Sequence, residues 1–350
     1  MKKADNKQNP FTLTFGKLPD SFIERYENTN KIIDTFNNTS VSQTYLIEGI
    51  RGSGKTVLMT HIAKELAKSE EWVVVNLNST QDLLEDLALR LSDICETTPN
   101  LLEQGFNITI AGFGLGVNGK NESVNNVSII KRILTGLKNK KKKILITIDE
   151  VMQNQSMRVF ASEFQILLRE DYPVYLIMTG LHKNIHDIQN DPALTFLLRS
   201  PKIKLGPLSI FQITKNYRSI FDLTDKDADK LAGITKGYAF AYQALGAIYW
   251  DNQDNPDMDT ILETFDNMLD DFVYNKIWET CTKKDREFLM AVTHDDTSTK
   301  EICDSVKMKL NSYSKYRDKL LQQELIVSGQ HGYVSLALPR FYEIARNYKM

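Results

Sequence analysis

The sequence predicts an α/β fold in which a parallel sheet precedes two largely helical segments. A glycine-rich loop pattern joins an apolar run to a helix-like segment near residue 50. Further short apolar runs alternate with amphipathic segments, the order typical of a parallel sheet with helical connections. After Pro207 the strand-like runs give way to helical periodicity. We therefore divide the chain into a core (1–207), a helical segment (208–277) and a C-terminal segment (278–350).

Five short apolar runs are predicted as the strands of the core sheet. They are Thr44–Ile47, Trp72–Leu77, Ile144–Ile148, Val174–Met178 and Lys202–Leu205. The third run is continuous and rich in β-branched residues, which is typical of a strand buried on both faces of a parallel sheet. Because these runs alternate with helical segments, ligands are expected at the carboxyl ends of the strands.

The glycine-rich loop matches the phosphate-binding pattern G-x-x-x-x-G-K-[ST] in full. Its residues are Gly49, Ile50, Arg51, Gly52, Ser53, Gly54, Lys55 and Thr56. Glycines let successive backbone N–H groups turn toward phosphates, and the helix predicted over Val57–Ala67 adds its positive N-terminal end. Lys55 is expected to reach the β- and γ-phosphates, and the Thr56 hydroxyl to bind Mg²⁺. The pattern and its context predict a nucleotide site.

Two carboxylates follow the third strand and suit a magnesium nucleotide. Asp149 is placed to hold the magnesium shell, and Glu150 to polarise an attacking water as a general base. A solvated strand end is the alternative for this pair. Thr179, at the end of the next strand, is expected to face the γ-phosphate, although a plain strand-to-loop threonine fits the same position.

Four amphipathic helices are predicted after Pro207. They are Ile210–Phe221, Asp225–Ile234, Tyr238–Trp250 and Met258–Ile277. A small helical lid over a nucleotide needs such a group, and a plain helical bundle is the alternative.

The C-terminal segment has the order of a winged helix. Helices are predicted over Lys284–Ala291, from a cap at Ser298 or Thr299 to about Val306, and over Ser312–Gln323, before a hairpin turning at Gly329–Gly332. The third of these helices carries three basic residues, Lys315, Arg317 and Lys319. These side chains suit the phosphates of double-stranded DNA, but a winged helix that binds protein fits equally well.

A second glycine-rich stretch, Gly114–Gly119, is interpreted as a turn. It formally fits G-x-G-x-x-G, but no helix follows it and Asn118-Gly119 is a hairpin signal. We predict an inserted β-hairpin near residues 107–119.

Bulk composition is that of an ordinary globular protein. The 350 residues are 42% hydrophobic and 25% charged, with a net charge of −2. A near-neutral chain does not bind nucleic acid over its whole surface, so any basic binding surface is local. No run approaches the roughly 18 apolar residues of a membrane span, and the N-terminus lacks an apolar signal core. We expect a cytoplasmic protein without membrane contact.

Taken together, these motifs resemble those of the AAA+/STAND class of P-loop ATPases, especially the origin-recognition-like ATP-binding proteins of bacteria and archaea. The resemblance rests on the loop at Gly49–Thr56, on Asp149-Glu150 after a separate strand, and on Thr179. It implies ATP and Mg²⁺ as cofactors, a conformational switch with modest hydrolysis, and self-association into a homo-oligomer.

The resemblance also assigns roles to residues outside the loop. Arg199, just before the fifth strand, sits where AAA+ proteins carry an arginine finger, in cis or in trans. Ile23 and Arg25 lie in a segment similar to the adenine-side motif, with Glu24 where the family has glycine. Gly233–Gly246 resembles the lid-helix signature, with Ala239 in place of proline.

The leading hypothesis is an ATP-hydrolysing switch that couples nucleotide state to the winged-helix module. The alternative is a DNA-binding regulator, or a replication or defence factor, in which nucleotide only sets conformation. A small-molecule kinase is less favoured, because Glu150 beside Asp149 and the long C-terminal half fit a hydrolytic switch better.

Overall fold

The computed structural model describes residues 8–14, 16–38, 41–97, 126–254 and 256–348. The hairpin predicted near residues 107–119 lies outside the described residues. The chain forms two compact units. The sheet unit consists of Tyr26–Glu48 and Leu58–Lys204, and the P-loop unit consists of Met1–Arg25, Gly49–Val57 and Leu205–Met350.

The sheet unit is built on five parallel strands. They are β1 (Thr44–Glu48), β2 (Trp72–Leu77), β3 (Lys143–Ile148), β4 (Val174–Gly180) and β5 (Lys202–Lys204). Their order in the sheet is β2-β3-β4-β1-β5. Every pairing is parallel, so the predicted parallel sheet is confirmed. The carboxyl ends of β1, β3 and β4 consequently lie side by side at one edge of the sheet.

In the part of the chain that the structure describes, six α-helices and a 3₁₀ helix accompany these strands in sequence. They are α1 (Tyr26–Asn38), α2 (Lys55–Ala67), α3 (Leu83–Thr97), α4 (Asn126–Asn139), α5 (Gln155–Arg169), α6 (His182–Gln189) and the 3₁₀ helix Pro192–Arg199. Asn154 caps α5, since its side chain accepts from the Met157 N–H at 2.8 Å. Aromatic residues of α5, Phe160 and Phe164, are buried with the strands in one apolar core.

Asp191 fixes the start of the 3₁₀ helix. Its buried carboxylate accepts from Arg158 Nε at 2.7 Å, Gln153 Nε2 at 2.8 Å and the Ala193 N–H at 2.9 Å. These hydrogen bonds, with Arg158 the largest, lower the pKa of Asp191 to about 2. The charged carboxylate therefore holds together α5, the loop before it and the 3₁₀ helix.

Four helices of the P-loop unit follow the core in sequence. They are α7 (Ile210–Phe221), α8 (Asp225–Ile234), α9 (Ala239–Asp251) and α10 (Met258–Leu269). The first two have the predicted bounds. The helix predicted over Met258–Ile277 is present as one uninterrupted helical stretch, in which a π-helical turn over Asp270–Tyr274 lies between α10 and α11 (Asn275–Thr280). The wider turn leaves Phe272 exposed and buries Tyr274, whose hydroxyl donates to the Pro339 carbonyl at 2.7 Å.

The C-terminal segment has three further helices and a small sheet before a short last helix. The helices are α12 (Lys283–Ala291), α13 (Thr299–Ser305), α14 (Leu310–Gln322) and α15 (Phe341–Ala345). The strands β6 (Thr297–Ser298), β7 (Ile326–Val327) and β8 (Tyr333–Leu336) pair antiparallel in the order β6-β8-β7. Capping boxes at Thr282 and Ser298 begin α12 and α13. The predicted helices and hairpin are present, and the winged-helix assignment stays a prediction.

Within the described ranges, no helix is both long and apolar enough to cross a membrane.

Candidate nucleotide-binding site

The phosphate loop, Gly49–Thr56, connects β1 to α2 and depends on two left-handed glycines. Gly52 has φ +75° and Gly54 has φ +90°. A Cβ on Gly52 would lie 2.1 Å from the Tyr238 hydroxyl oxygen, so a side chain there would be both strained and sterically blocked. The glycines of the motif thus allow the backbone of the loop to pass close to the start of α9.

The carbonyl groups of five successive loop residues accept hydrogen bonds from within the P-loop unit. Lys55 Nζ donates to the Gly49 carbonyl at 3.2 Å and to the Ile50 carbonyl at 2.8 Å. The remaining donors are the Tyr238 hydroxyl to Arg51 O at 2.5 Å, the Phe240 N–H to Gly52 O at 3.0 Å, and Arg25 to Ser53 O at 3.2 Å. This pattern turns the acceptor side of the loop toward the protein, as a loop must do if its donors serve an anion.

Lys55 and Ser53 fit the chemistry of a bound phosphate chain. Both residues are buried, at 8% and 5% exposure. Among the described residues the Ser53 hydroxyl has no hydrogen-bond partner, and a buried polar atom of that kind is costly unless a ligand or water satisfies it. Lys55 supplies a positive charge at the base of the loop, and Thr56 lies half-buried in the first turn of α2. These residues fit a nucleotide with Mg²⁺, for which the Thr56 hydroxyl is a candidate ligand.

Tyr238 was not singled out as a loop contact by the sequence analysis. Burial raises the pKa of its hydroxyl far above the ordinary tyrosine range, so the group stays protonated and donates to Arg51 O. In the sequence, the signal for this contact is the position of Tyr238 in the lid-like signature. It lies between Gly237, which has a left-handed conformation in the structure, and Ala239. Ala239 itself is the first residue of α9 and lies 3.6 Å from the Cβ position of Gly54.

Ile23 and Arg25, the two candidates for the adenine side of the site, make different contacts within the P-loop unit. Ile23 is buried in the apolar core formed by the helices of this unit. Arg25 reaches the loop itself, at Ser53 O. Burial lowers the pKa of the Arg25 guanidinium, and the negative charge of Glu324 opposes that shift. The carboxylate of Glu324 accepts the Ile50 N–H at 3.2 Å, a loop contact that no sequence pattern indicated.

At the carboxyl edge of the sheet, the structure brings Asp149, Glu150 and Thr179 together. The Thr179 hydroxyl donates to Asp149 Oδ1 in a short hydrogen bond. The Glu150 N–H points to Asp149 Oδ1 at 3.1 Å and Thr179 Oγ1 at 3.3 Å, and Glu150 has φ +50°. Thr179 is fully buried, while the Glu150 side chain is exposed. Thr179 therefore orients the Asp149 carboxylate, a contact that the sequence analysis did not include.

A second polar pair at the same edge was missed. Glu48 ends β1 and is 5% exposed, and its Oε2 lies 3.2 Å from Nδ1 of His182, at the start of α6. The sequence shows a carboxylate directly before Gly49 but gives no sign of its partner. The pair lies beside Thr179 because β1 and β4 are neighbours, with Glu48 opposite Gly180.

Arg199 ends the 3₁₀ helix and is exposed. This position leaves its side chain accessible from solvent, and the arginine-finger role stays a prediction.

The three basic residues of α14 do not form one exposed set. Lys315 is exposed, and Arg317 lies 3.3 Å from Asp318. Lys319 Nζ lies 2.5 Å from Oδ2 of Asp285, a fully buried residue of α12. Lys319 therefore joins two helices inside the segment, which corrects the expectation that all three side chains serve DNA phosphates.

Two family models match parts of the chain. The model described as mitochondrial ribosomal death-associated protein 3 matches residues 24–89, and one described as a domain of unknown function (DUF8462) matches residues 271–343. A search of the curated proteins found no match to the sequence.

Solved structures similar to this one cover nearly the whole chain. A Walker-type ATPase of Pyrococcus abyssi aligns over 93% of this chain and 96% of its own, with 14% identity and a TM-score of 0.65. The ORC2 protein of Aeropyrum pernix, in ADPNP–ADP complexes, aligns over 95% and 96%, with 14% identity and a TM-score of 0.60. Cdc6p from Pyrobaculum aerophilum aligns over 95% and 96%, with 11% identity and a TM-score of 0.51.

At identities of 11–14% these likenesses concern the fold. The chain has the α/β P-loop ATPase fold seen in these Walker-type, ORC2 and Cdc6 structures.

Proposed function

We propose that this chain is an ATP-binding protein that hydrolyses ATP slowly and acts as a conformational switch of the AAA+/STAND type. The observation that carries the proposal is the loop Gly49–Thr56, with its left-handed glycines, its inward-held carbonyls and the buried Lys55. Such a loop presents backbone N–H donors and a positive charge. These groups suit the oxygen atoms of a phosphate chain better than they suit other kinds of ligand.

The proposed division of labour assigns one task to each side chain. Lys55 offsets phosphate charge, and the Ser53 hydroxyl offers a buried polar atom to the phosphate side of the ligand. Thr56 and Asp149 hold Mg²⁺, which would stabilise charge on the phosphates. Glu150, exposed beside Asp149, orients and deprotonates water.

Positioning at the sheet edge supports that chemistry. Thr179 donates to Asp149, which fixes the orientation of the carboxylate. Arg199 adds positive charge in the transition state, in cis or from a neighbouring copy in a homo-oligomer. An arginine supplied this way accelerates related reactions by about 10³-fold or more, so isolated copies would be slow.

The test of the site is ATP affinity by calorimetric titration. We expect Lys55→Ala to weaken binding at least roughly ten-fold, because a hydrogen bond to a charged group contributes about 1.5–3 kcal/mol. Lys64→Ala, on the exposed surface of α2, is the matched control and should bind as the wild type does. Unchanged affinity in Lys55→Ala would overturn the site assignment.

Turnover separates the roles of the two carboxylates. Glu150→Gln should keep ATP affinity and lose roughly 10²- to 10⁴-fold in hydrolysis, the usual contribution of a general base. Glu85→Gln, an exposed residue of α3, is its control. Equal loss of binding and turnover in Glu150→Gln would point to a structural defect instead.

The second candidate function is a DNA-binding regulator in which nucleotide only sets conformation. The exposed Lys315 on α14, with Arg317 nearby, favours it. Mobility shifts of the full chain with duplex DNA test this candidate. Binding that strengthens as salt falls and weakens in Lys315→Glu would support phosphate contacts, and absent binding at low salt would leave a protein partner for the proposed winged-helix segment (278–350).

A further inference from the structure

Glu324 is held against the phosphate loop by the geometry of the C-terminal segment. It follows α14 with φ +57°, and its own N–H donates to the Leu321 carbonyl at 3.1 Å. The next residue, Leu325, is buried and donates to the Leu320 carbonyl at 3.0 Å. These two hydrogen bonds and the burial of Leu325 fix the backbone at Glu324. The carboxylate therefore extends toward the loop from a rigid backbone position.

The contact joins a negative charge to the second N–H group of the loop, that of Ile50. Glu324 Oε2 accepts the Ile50 N–H at 3.2 Å, and Arg25, whose guanidinium donates to Ser53 O at 3.2 Å, lies within the electrostatic reach of Glu324. A partly buried cation and a carboxylate from two distant parts of the chain therefore share one short loop. A carboxylate here has no counterpart in the phosphate chemistry proposed for that loop, because both it and a nucleotide are anions.

We propose that Glu324 is a latch that fastens the C-terminal segment to the phosphate loop and opens when nucleotide binds. The inference rests on the proposed function. Phosphates arriving at the loop compete with the carboxylate for the positive field of the loop amides, Lys55 and Arg25, and repel it. Nucleotide state at the loop is thereby communicated to the segment that carries α14.

Linkage fixes the sign of the effect. If nucleotide weakens the latch, the latch weakens nucleotide binding by the same factor. Removing only the charge should therefore tighten ATP binding. Glu324→Gln does this with little change of shape, because a glutamine amide oxygen still accepts the Ile50 N–H.

The experiment measures ATP affinity of the full chain by titration calorimetry, with Mg²⁺, for the wild type, Glu324→Gln and the control Glu279→Gln. Glu279 is an exposed residue of α11 whose ion pair is with Lys276, 3.0 Å away on the same turn of helix. We expect Glu324→Gln to bind ATP roughly five-fold or more tightly, the low end of typical coupling between sites, and Glu279→Gln to match the wild type. Raised salt should shrink the difference.

Hydrogen exchange supplies a readout that does not depend on turnover. In the wild type, ATP should speed amide exchange around Leu320–Ile326. In Glu324→Gln, whose uncharged side chain holds the loop more weakly, exchange without ATP should be faster than in the wild type. Equal affinity of the two proteins would overturn the latch. Weaker binding in Glu324→Gln would also overturn it, and would make Glu324 a residue that positions Arg25 for the nucleotide.

The outcomes distinguish this inference from the proposed function. If the wild type binds ATP and Glu324→Gln binds it no better, the latch fails and the ATP site stands. If neither protein binds ATP, the proposed function fails and a nucleotide-responsive latch falls with it. A thermal melt of Glu324→Gln within a few degrees of the wild type shows that the comparison is between folded proteins.

Discussion

A methyl group added at Gly52 would test the geometry of the phosphate loop. In Gly52→Ala the new Cβ would lie 2.1 Å from the Tyr238 hydroxyl oxygen and 2.8 Å from its ring carbon Cζ, while the backbone keeps φ +75°. The left-handed conformation alone costs about 1–2 kcal/mol for a residue with a Cβ. Tyr238 must also move, which breaks its hydrogen bond to Arg51 O, worth about 0.5–1.5 kcal/mol. The sum is a loss of about 1.5–3.5 kcal/mol of unfolding free energy.

The double variant separates these two contributions. Tyr238→Phe alone should cost about 1 kcal/mol, because it removes the same hydrogen bond. Added to Gly52→Ala, it should cost less than it does alone, since the hydroxyl that collides is gone and its bond was already broken. We therefore expect non-additivity of at least about 0.5 kcal/mol, typical of residues in contact.

Urea unfolding of the four proteins measures these values. Gly233→Ala is the matched control, because that glycine lies in α8 with open space around its Cβ position. It should leave stability unchanged or raise it, since alanine favours helix over glycine by about 1 kcal/mol. Strictly additive losses in the double variant, or a Gly52→Ala protein as stable as the wild type, would refute the close approach of Tyr238 to the loop.

Three further predictions concern single contacts. Thr179→Val should lower unfolding free energy by about 1.5–3 kcal/mol and reduce ATP turnover more than ATP affinity, because it removes the hydroxyl that orients Asp149. Lys319→Met should destabilise the chain by about 1–3 kcal/mol in urea unfolding, since it leaves the buried Asp285 carboxylate without its cation, at a partly exposed pair. Asp191→Asn should reduce the loss of unfolding free energy that the protein shows as the pH falls into the acid range. The pKa of Asp191 is about 2 when folded, below its unfolded value near 3.9, so its stabilisation is full above about pH 4 and is lost as pH falls toward 2.

Each of these three has its own contrary result. Thr179→Val with wild-type turnover would remove the orienting role. If Lys319→Met has the same unfolding free energy as the wild type, and lower pH does not increase it, then the buried Asp285 carboxylate does not need the lysine. If Asp191→Asn shows the same loss between pH 4 and pH 2 as the wild type, the three hydrogen bonds to that carboxylate contribute nothing to folding.

The core strands were predictable because burial on both faces leaves a simple record in the chain. Ile144–Ile148 is apolar and β-branched apart from Leu145 and the small polar Thr147, and the strand found there differs by one residue. The phosphate loop was predictable for a related reason, since its function demands glycines and a lysine at fixed spacing. Requirements of this kind involve residues that are close together in the sequence, so the sequence shows them directly.

The helix predicted over Met258–Ile277 shows that the periodicity of apolar residues does not detect a π-helical turn. Leu269, Val273, Tyr274, Ile277 and Trp278 are all buried, and steps of four, one, three and one residues also fit a regular α-helix. One extra residue in a π-helical turn changes which side chain faces outward, here Phe272, without changing the pattern of apolar residues.

Long-range contacts of the site could not be predicted. Glu324 meets Ile50 across 274 residues of sequence, and Tyr238 meets Arg51 across 187. A single glutamate after a helix and a tyrosine before one are common features, and nothing local indicates their partners. Lys319 was misassigned for the same reason, because its partner Asp285 lies on another helix.

ATP hydrolysis measured against protein concentration tests the central claim most directly, with Glu150→Gln in the same assay. We expect hydrolysis above the Glu150→Gln background. A specific activity that rises with concentration would assign Arg199 a role in trans, and a constant one a role in cis. Specific activity no greater than that of Glu150→Gln at every concentration, in protein that binds ATP, would contradict the claim that this chain is an ATPase.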